Sequence, residues 1–273
     1  MTEKLIHGKT LPQAYHAALV ALQNEGDIIS CDDWAQKQKE ISMNFVVTEP
    51  LTEPMVSKLF IGGHKELQQY VLEVLDGILD FKIGDGWEYT YHNRMTDFHA
   101  VDKNGLPHTI NQFAFVLEEL KRRPDSRRAI INIRDNGYDP FVDSPACLQA
   151  MQFFIRDGKL HQKVFMRSND APKASFMNAF AFIMLQKRLA ETLGVGMGTY
   201  SHRANSYHAY EKDFPMLENY VAAITTSAEE GITYDYEDFY KELMEETIPE
   251  INELVETLKV RSADRKNLSR RSD

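Results

Sequence analysis

Ser144-Pro145-Ala146-Cys147-Leu148-Gln149-Ala150-Met151-Gln152-Phe153 places a cysteine at the head of an apolar stretch. Polar groups follow it at fixed distances: Arg167-Ser168-Asn169-Asp170, then Asn178, then His208-Ala209-Tyr210. A thiolate can add to an electron-poor ring carbon, and guanidinium groups form paired bonds to phosphate oxygens. An Asn amide can read a pyrimidine edge, and a His/Tyr pair can bind a sugar hydroxyl. One nucleotide would use all four.

The chemistry that needs this set is carbon transfer to C5 of a pyrimidine nucleotide. C5 is a poor nucleophile until a thiolate adds at C6 and turns the ring into an enolate-like carbanion. A free Cys titrates near 8.5, and a neighbouring guanidinium favours its thiolate; Arg167 is the local donor.

Outward from Cys147, residues 129–133, 151–156 and 160–166 read as strands, the last two joined by a hairpin turn at Asp157-Gly158. Residues 176–193 predict an apolar helix ending at Gly194, buried in the domain centre. The spacing also predicts helices over 11–25, 64–80 and 109–123, and a strand over 44–48. An amphipathic helix should follow Tyr210, and an acidic one should lie near 236–259. The expected organisation is a single mixed α+β domain over 1–260 with no internal repeat, then a basic, flexible tail over 261–273 carrying Arg261, Arg265, Lys266, Arg270 and Arg271.

A chain of 273 residues, 43% hydrophobic, can bury a large core. Its 31 Lys and Arg against 41 Asp and Glu leave a net charge of −10, which argues against a protein that coats nucleic acid. The two cysteines, Cys31 and Cys147, make no disulfide framework, and no secretory leader or membrane-spanning stretch is read. A reducing cytoplasm is the expectation.

The run from Asp125-Ser126-Arg127-Arg128 through Cys147, Gln152-Phe153, Arg167-Ser168-Asn169-Asp170 and Asn178 to His208-Ala209-Tyr210 resembles the thymidylate synthases and their relatives, the pyrimidine nucleotide hydroxymethylases. Several separated motifs hold one register without insertion or deletion. The resemblance implies a thymidylate synthase-like fold, a mixed sheet around a buried central helix, assembled as a homodimer. It makes Cys147 the nucleophile and assigns Arg167 and Ser168 to the nucleotide phosphate, with Arg127 and Arg128 reaching the partner's phosphate across the interface. Asn178 and Gln152 fall to the base, His208 and Tyr210 to the 3′-hydroxyl, and Asp170 to the pterin of 5,10-methylenetetrahydrofolate. No metal is implied. Asn at position 178 points to uracil, since relatives acting on cytosine tend to carry Asp there.

The N-terminal half matches less closely. Tyr91, in Tyr89-Thr90-Tyr91-His92-Asn93-Arg94, is assigned to the water network around the thiol. Glu73, the carboxylate in the apolar part of helix 64–80, is assigned to proton transfer, because apolar surroundings disfavour its charged form. Each has a plainer reading. A lone buried Cys is usually a small core residue, and Cys31 is read that way; an isolated Arg pair is usually surface charge, and a Glu on a helix usually faces water.

Three departures bear on the product. The family's Arg-Thr-Gly-Thr phosphate loop is absent, with Lys37 and Lys39 nearby in sequence; Leu148 stands where synthases usually have His; and the usual short apolar C-terminal closure is replaced by a polar end. Closure excludes water from reactive intermediates. The polar end, and no Trp placed against the cofactor, favour water addition and 5-hydroxymethyl-dUMP over hydride transfer and dTMP. The alternatives kept open are thymidylate synthase proper, a dCMP or CMP hydroxymethylase, and a nucleotide-binding paralogue without turnover.

Overall fold

The computed structural model describes residues 1–269. Strands are β1 (Glu3–Gly8), β2 (Asp27–Cys31), β3 (Gln36–Val47), β4 (Val56–Ser57), β5 (Phe98–Val101), β6 (Pro107–Ile110), β7 (Ile130–Asn132), β8 (Leu148–Arg156), β9 (Lys159–Asp170), β10 (Gly196–Tyr210) and β11 (Thr233–Tyr234). Helices are α1 (Leu11–Glu25), α2 (His64–Asp76), α3 (Tyr91–Thr96), α4 (Gln112–Arg122), α5 (Phe176–Leu193), α6 (Phe214–Thr226), α7 (Glu229–Ile232), α8 (Lys241–Glu246) and α9 (Ile248–Ser269).

The main sheet runs β1-β3-β10-β9-β8-β7, and β2 pairs with the first half of β3. It is mixed: β1 with β3 and β10 with β9 are parallel, while β3–β10, β9–β8 and β8–β7 are antiparallel. The β8–β9 turn has Asp157 and Gly158 both at positive φ, 51° and 69°, the geometry that a two-residue hairpin favours because its twist matches the strands.

Helix α5 is the expected buried element. Phe176, Ala179, Phe180, Phe182, Ile183 and Leu189 are enclosed on several sides, so its hydrophobicity is continuous rather than striped. It ends where Gly194 takes the left-handed conformation at φ 66°. Helices α1 and α2 pack beside it and carry their own apolar faces into the same core.

Register irregularities sit where chemistry is expected. The β8–β9 ladder shifts between Leu148 and Ala150, just after Cys147, and the β10–β3 ladder shifts between Ala204 and Tyr207, just before His208. Bulges of this kind re-aim side chains at the end of a strand.

The C-terminal stretch differs from a tail over its described part. The backbone of α9 stays helical through 261–269; Ile251 and Val255 anchor it against Leu79, Ser262 is buried, and Arg265 makes a two-point ion pair with Asp85. These contacts give the segment something to pack on that its composition does not reveal. Residues 270–273 of the expected tail lie outside the described residues.

Candidate active site

Cys147 follows a loop and precedes β8, at the wall of a cavity of about 860 Å³. Arg167, Ser168, His208 and Tyr210 line the same cavity, brought there by the ends of β9 and β10. Parallel pairing sets Ser168 beside Ser206 and Asp170 beside His208, while the Arg167 N–H donates to the Cys147 carbonyl at 2.9 Å. The sequence-predicted nucleophile, phosphate pair and sugar pair therefore share one concave surface.

Arg167 also clamps the cysteine loop. Its Nε donates to the Ala146 carbonyl at 3.0 Å and its Nη2 to the Pro145 carbonyl at 2.7 Å. Burial pushes the Cys147 thiol pKa up, and the Arg167 charge opposes this only in part. Arg167 thus acts in the expected direction, favouring the thiolate, while desolvation, the larger effect, works against it.

His208 is 3% exposed and tilts edge-on to Tyr210, with ring centroids 4.8 Å apart. Both side chains leave one face of an extended strand, so the plain helix-start reading of His208 does not hold. Its Nδ1 lies 3.3 Å from both the Ser206 hydroxyl and the Ser206 carbonyl, whereas Nε2 is buried with no partner among the described residues. A buried ring nitrogen left over in this way suits a ligand hydroxyl. Burial lowers the His208 pKa and raises that of Asp170 beside it.

A second cavity, of about 410 Å³, shares Tyr89, Asp143 and Ser144 with the first. Its walls include Tyr70, Glu73, Val74, Leu79 and Trp87. Glu73 accepts from Gln69 Nε2 at 2.8 Å, and burial raises its pKa. Trp87 is 38% exposed, so an aromatic face is available here for a flat ring. The glycine-rich loop Gly84-Asp85-Gly86 carries Trp87, which the sequence reading had not placed, into this wall.

Tyr91 is enclosed. It hydrogen-bonds to the Leu148 backbone, lies against Phe182 with centroids 6.0 Å apart, and has its pKa raised well above the ordinary value by burial. Tyr89, not singled out in the sequence, lines both cavities, hydrogen-bonds to the Cys147 backbone, and is pushed up to about 12 chiefly by burial. The two rings lie 5.8 Å apart, and between them Thr90 is the N-cap of α3, its hydroxyl accepting from the Asn93 N–H at 3.0 Å.

Other predicted residues fall elsewhere. Gln152 alternates out from the face that holds Met151 and Phe153, and its amide donates to the Arg127 carbonyl at 3.0 Å rather than facing Cys147. Arg127 and Arg128 are exposed before β7 and line neither cavity. Asp170 caps the turn at 171–175 by accepting from the Lys173 N–H at 3.1 Å. Asn178, 5% exposed on α5, accepts from the Tyr70 hydroxyl.

Tyr70 was also unremarked in the sequence, although it lies one helical turn before Glu73 on the same face of α2. Near the missing phosphate loop, Lys39 is committed to Gln23 and Lys37 lines neither cavity. Cys31, Asp32 and Asp33, from the β2–β3 connection, line the Cys147 cavity there instead.

A cysteine, an arginine and a His/Tyr pair around one cavity, with a carboxyl and an aromatic wall in the next, define a nucleotide-modifying transferase site. The Thymidylate synthase family model matches residues 64–230, a span holding every one of these groups except Cys31, Asp32 and Asp33. Among relatives, the "Putative thymidylate synthase" of Methanocaldococcus jannaschii is 31% identical over 218 residues, covering 77% of this chain and 93% of the relative. Proteins of the same name from Methanosarcina barkeri and Methanosarcina mazei are 26% and 28% identical, each over 81% of this chain and 96% of their own length. The chain belongs to the thymidylate synthase family, and with it to the one-carbon transferases whose chemistry depends on folate.

Proposed function

We propose that the protein adds a one-carbon unit to C5 of dUMP through a covalent bond between Cys147 and C6, and that the product is dTMP. The observation that carries the reading is the single cavity shared by Cys147, Arg167, Ser168, His208 and Tyr210. Arg167 and Ser168 take the phosphate, His208 Nε2 and the Tyr210 hydroxyl take the 3′-hydroxyl, and Asn178 reads the uracil edge. Arg127 and Arg128, exposed and away from their own cavity, serve the partner's phosphate in a homodimer.

Cys147 gives up its proton as Sγ bonds C6, which makes C5 nucleophilic. Once C5 carries the new carbon, its proton is taken away as the bond from that carbon to the carrier nitrogen breaks; after hydride, or water in the second reading below, has added to the carbon, the Cys147 Sγ–C6 bond breaks and the product leaves. Tyr89, neutral and bonded to the Cys147 backbone, relays protons at C5, and Glu73 holds or delivers protons from the adjoining cavity. That cavity, with an indole face, apolar walls and the half-buried Glu73 carboxyl, fits the pterin of 5,10-methylenetetrahydrofolate; Asp170 is a further candidate for the pterin. When bound, the folate supplies the one-carbon unit and, for a methyl product, the hydride.

Trp87 in the wall and α9 pinned to the same loop through Arg265–Asp85 support dTMP. A second reading, water addition giving 5-hydroxymethyl-dUMP, is favoured by the partial exposure of Trp87, which leaves one side of that cavity wet. The deciding experiment is incubation with dUMP, dCMP, UMP and CMP in turn plus methylenetetrahydrofolate, and weighing of the product. dTMP with dihydrofolate confirms the first reading. 5-Hydroxymethyl-dUMP with tetrahydrofolate confirms the second, and no product from any of the four rejects both.

A further inference from the structure

Helix α2 lies against α5 so that the Tyr70 ring lines the second cavity while its hydroxyl reaches Asn178. The hydroxyl donates to Asn178 Oδ1. At the other end of the same amide, Nδ2 has only the Met166 thioether at 4.0 Å, and a thioether is a weak acceptor. One end of the amide is therefore fixed by the protein, and the other keeps its donor capacity.

We infer that Tyr70 is a positioning residue that makes the site select uracil over cytosine, by holding the Asn178 amide in one of its two orientations. The inference rests on the reading of Asn178 as the group that meets the base. Uracil presents a donor at N3 and an acceptor at O4; Asn178 matches it with Oδ1 toward N3–H and Nδ2 toward O4. Oδ1 has two lone pairs, so it accepts from Tyr70 and from N3–H together. Cytosine presents an acceptor at N3 and a donor at its 4-amino group. Asn178 can match that edge only by turning through half a rotation, which reverses its bond to Tyr70: the amide NH₂ then donates to the Tyr70 oxygen, and the half-buried Tyr70 O–H loses the acceptor it has in Asn178 Oδ1.

Among the described residues no hydrogen bond joins the Tyr70 hydroxyl to another group of α2. Glu73, one turn on, already accepts from Gln69 on one oxygen. Burial raises the Tyr70 pKa well above the ordinary value, so the phenol stays a donor across the working pH range. Leu148, fully buried, adds no polar group from the strand that follows the nucleophile.

The test is the ratio of kcat/KM for dUMP to that for dCMP, measured on the full chain as wild type and as Tyr70→Phe. Phe keeps the ring in the cavity wall and removes only the hydroxyl. The expected result is an unchanged melting temperature and a ratio that falls about tenfold or more, since a buried group left unpaired is worth at least that factor. In an Asn178→Asp background, where the two carboxyl oxygens are alike, Tyr70→Phe should shift the ratio less. If Tyr70→Phe does not fold, Tyr70→Leu is judged by the same ratio. A ratio that stays within about twofold in a folded variant overturns the role of Tyr70, with the wild type still forming its adduct with 5-fluoro-dUMP. A wild type that forms no such adduct, or that prefers dCMP, overturns the reading beneath it as well.

Discussion

Arg167→Met separates the two tasks assigned to this side chain. In the free protein the guanidinium holds the cysteine loop through bonds of 3.0 Å to Ala146 and 2.7 Å to Pro145. Hydrogen bonds from a charged donor contribute about 1.5–3 kcal/mol each when dry, but Arg167 is exposed, and screening brings the pair to about 2 kcal/mol in total. For a chain of this size that is a fall of about 4–8 °C in melting temperature. Losing a charge-assisted phosphate contact should weaken dUMP by about 10–150-fold. The third consequence concerns the thiol. Burial raises the Cys147 pKa and Arg167 opposes it, so removing the cation should move the alkylation profile with iodoacetamide to still higher pH. Cys31 lines the same cavity, so the assay belongs in a Cys31→Ser background. An Arg167→Met protein with unchanged dUMP affinity and an unmoved alkylation profile would refute both tasks.

Asn178→Asp should weaken dUMP and improve dCMP, because a protonated Asp donates to N3 of cytosine and accepts from its amino group; competition between the two nucleotides measures it, and unchanged preference counts against Asn178 as the base reader. Trp87→Ala should raise KM for methylenetetrahydrofolate by about tenfold and move product from dTMP toward 5-hydroxymethyl-dUMP, read by nucleotide mass and by folate absorbance. An unaltered KM would remove Trp87 from the folate wall. Burial lowers the pKa of His16 to about 4 and of His202 to about 3. The unfolded chain therefore binds these protons first as pH falls, and stability present above about pH 6.5 is lost progressively toward pH 4 and below. For His16 alone the loss approaches about 3 kcal/mol, and a melting temperature flat from pH 7 to pH 4 would contradict it.

Much of the central half was legible because period and punctuation agree there. Asp157-Gly158 announces the β8–β9 hairpin, and Gly194 ends α5 where its apolar run ends. Cys147, Arg167, Ser168, His208 and Tyr210 were grouped by the register of separated motifs in the family resemblance, and the ends of β8, β9 and β10 bring them to one cavity. The N-terminal half was less legible. Strand β3 runs from Gln36, but the polar run Gln36-Lys37-Gln38-Lys39-Glu40 has no apolar alternation, and it is sheet because β2 and β10 flank it. Tyr89 and Tyr70 needed tertiary knowledge of another kind: the placing of Tyr89 where the two cavities meet, and the packing of α2 on α5 that brings Tyr70 to Asn178. That Gln152 turns away from the face of Met151 and Phe153 was legible in strand period alone.

The central claim is a carbon–sulfur bond between Cys147 and C6 of the nucleotide. Mixing the protein with 5-fluoro-dUMP and methylenetetrahydrofolate stalls the reaction, because fluorine at C5 cannot leave as a proton does. Intact-protein mass spectrometry should then show a covalent ternary complex, and peptide mapping should place it on Cys147. The same mixture with Cys147→Ala should give only the unmodified mass while dUMP binding persists. A wild-type protein that stays unmodified, or a Cys147→Ala protein that still turns over dUMP, would contradict the account.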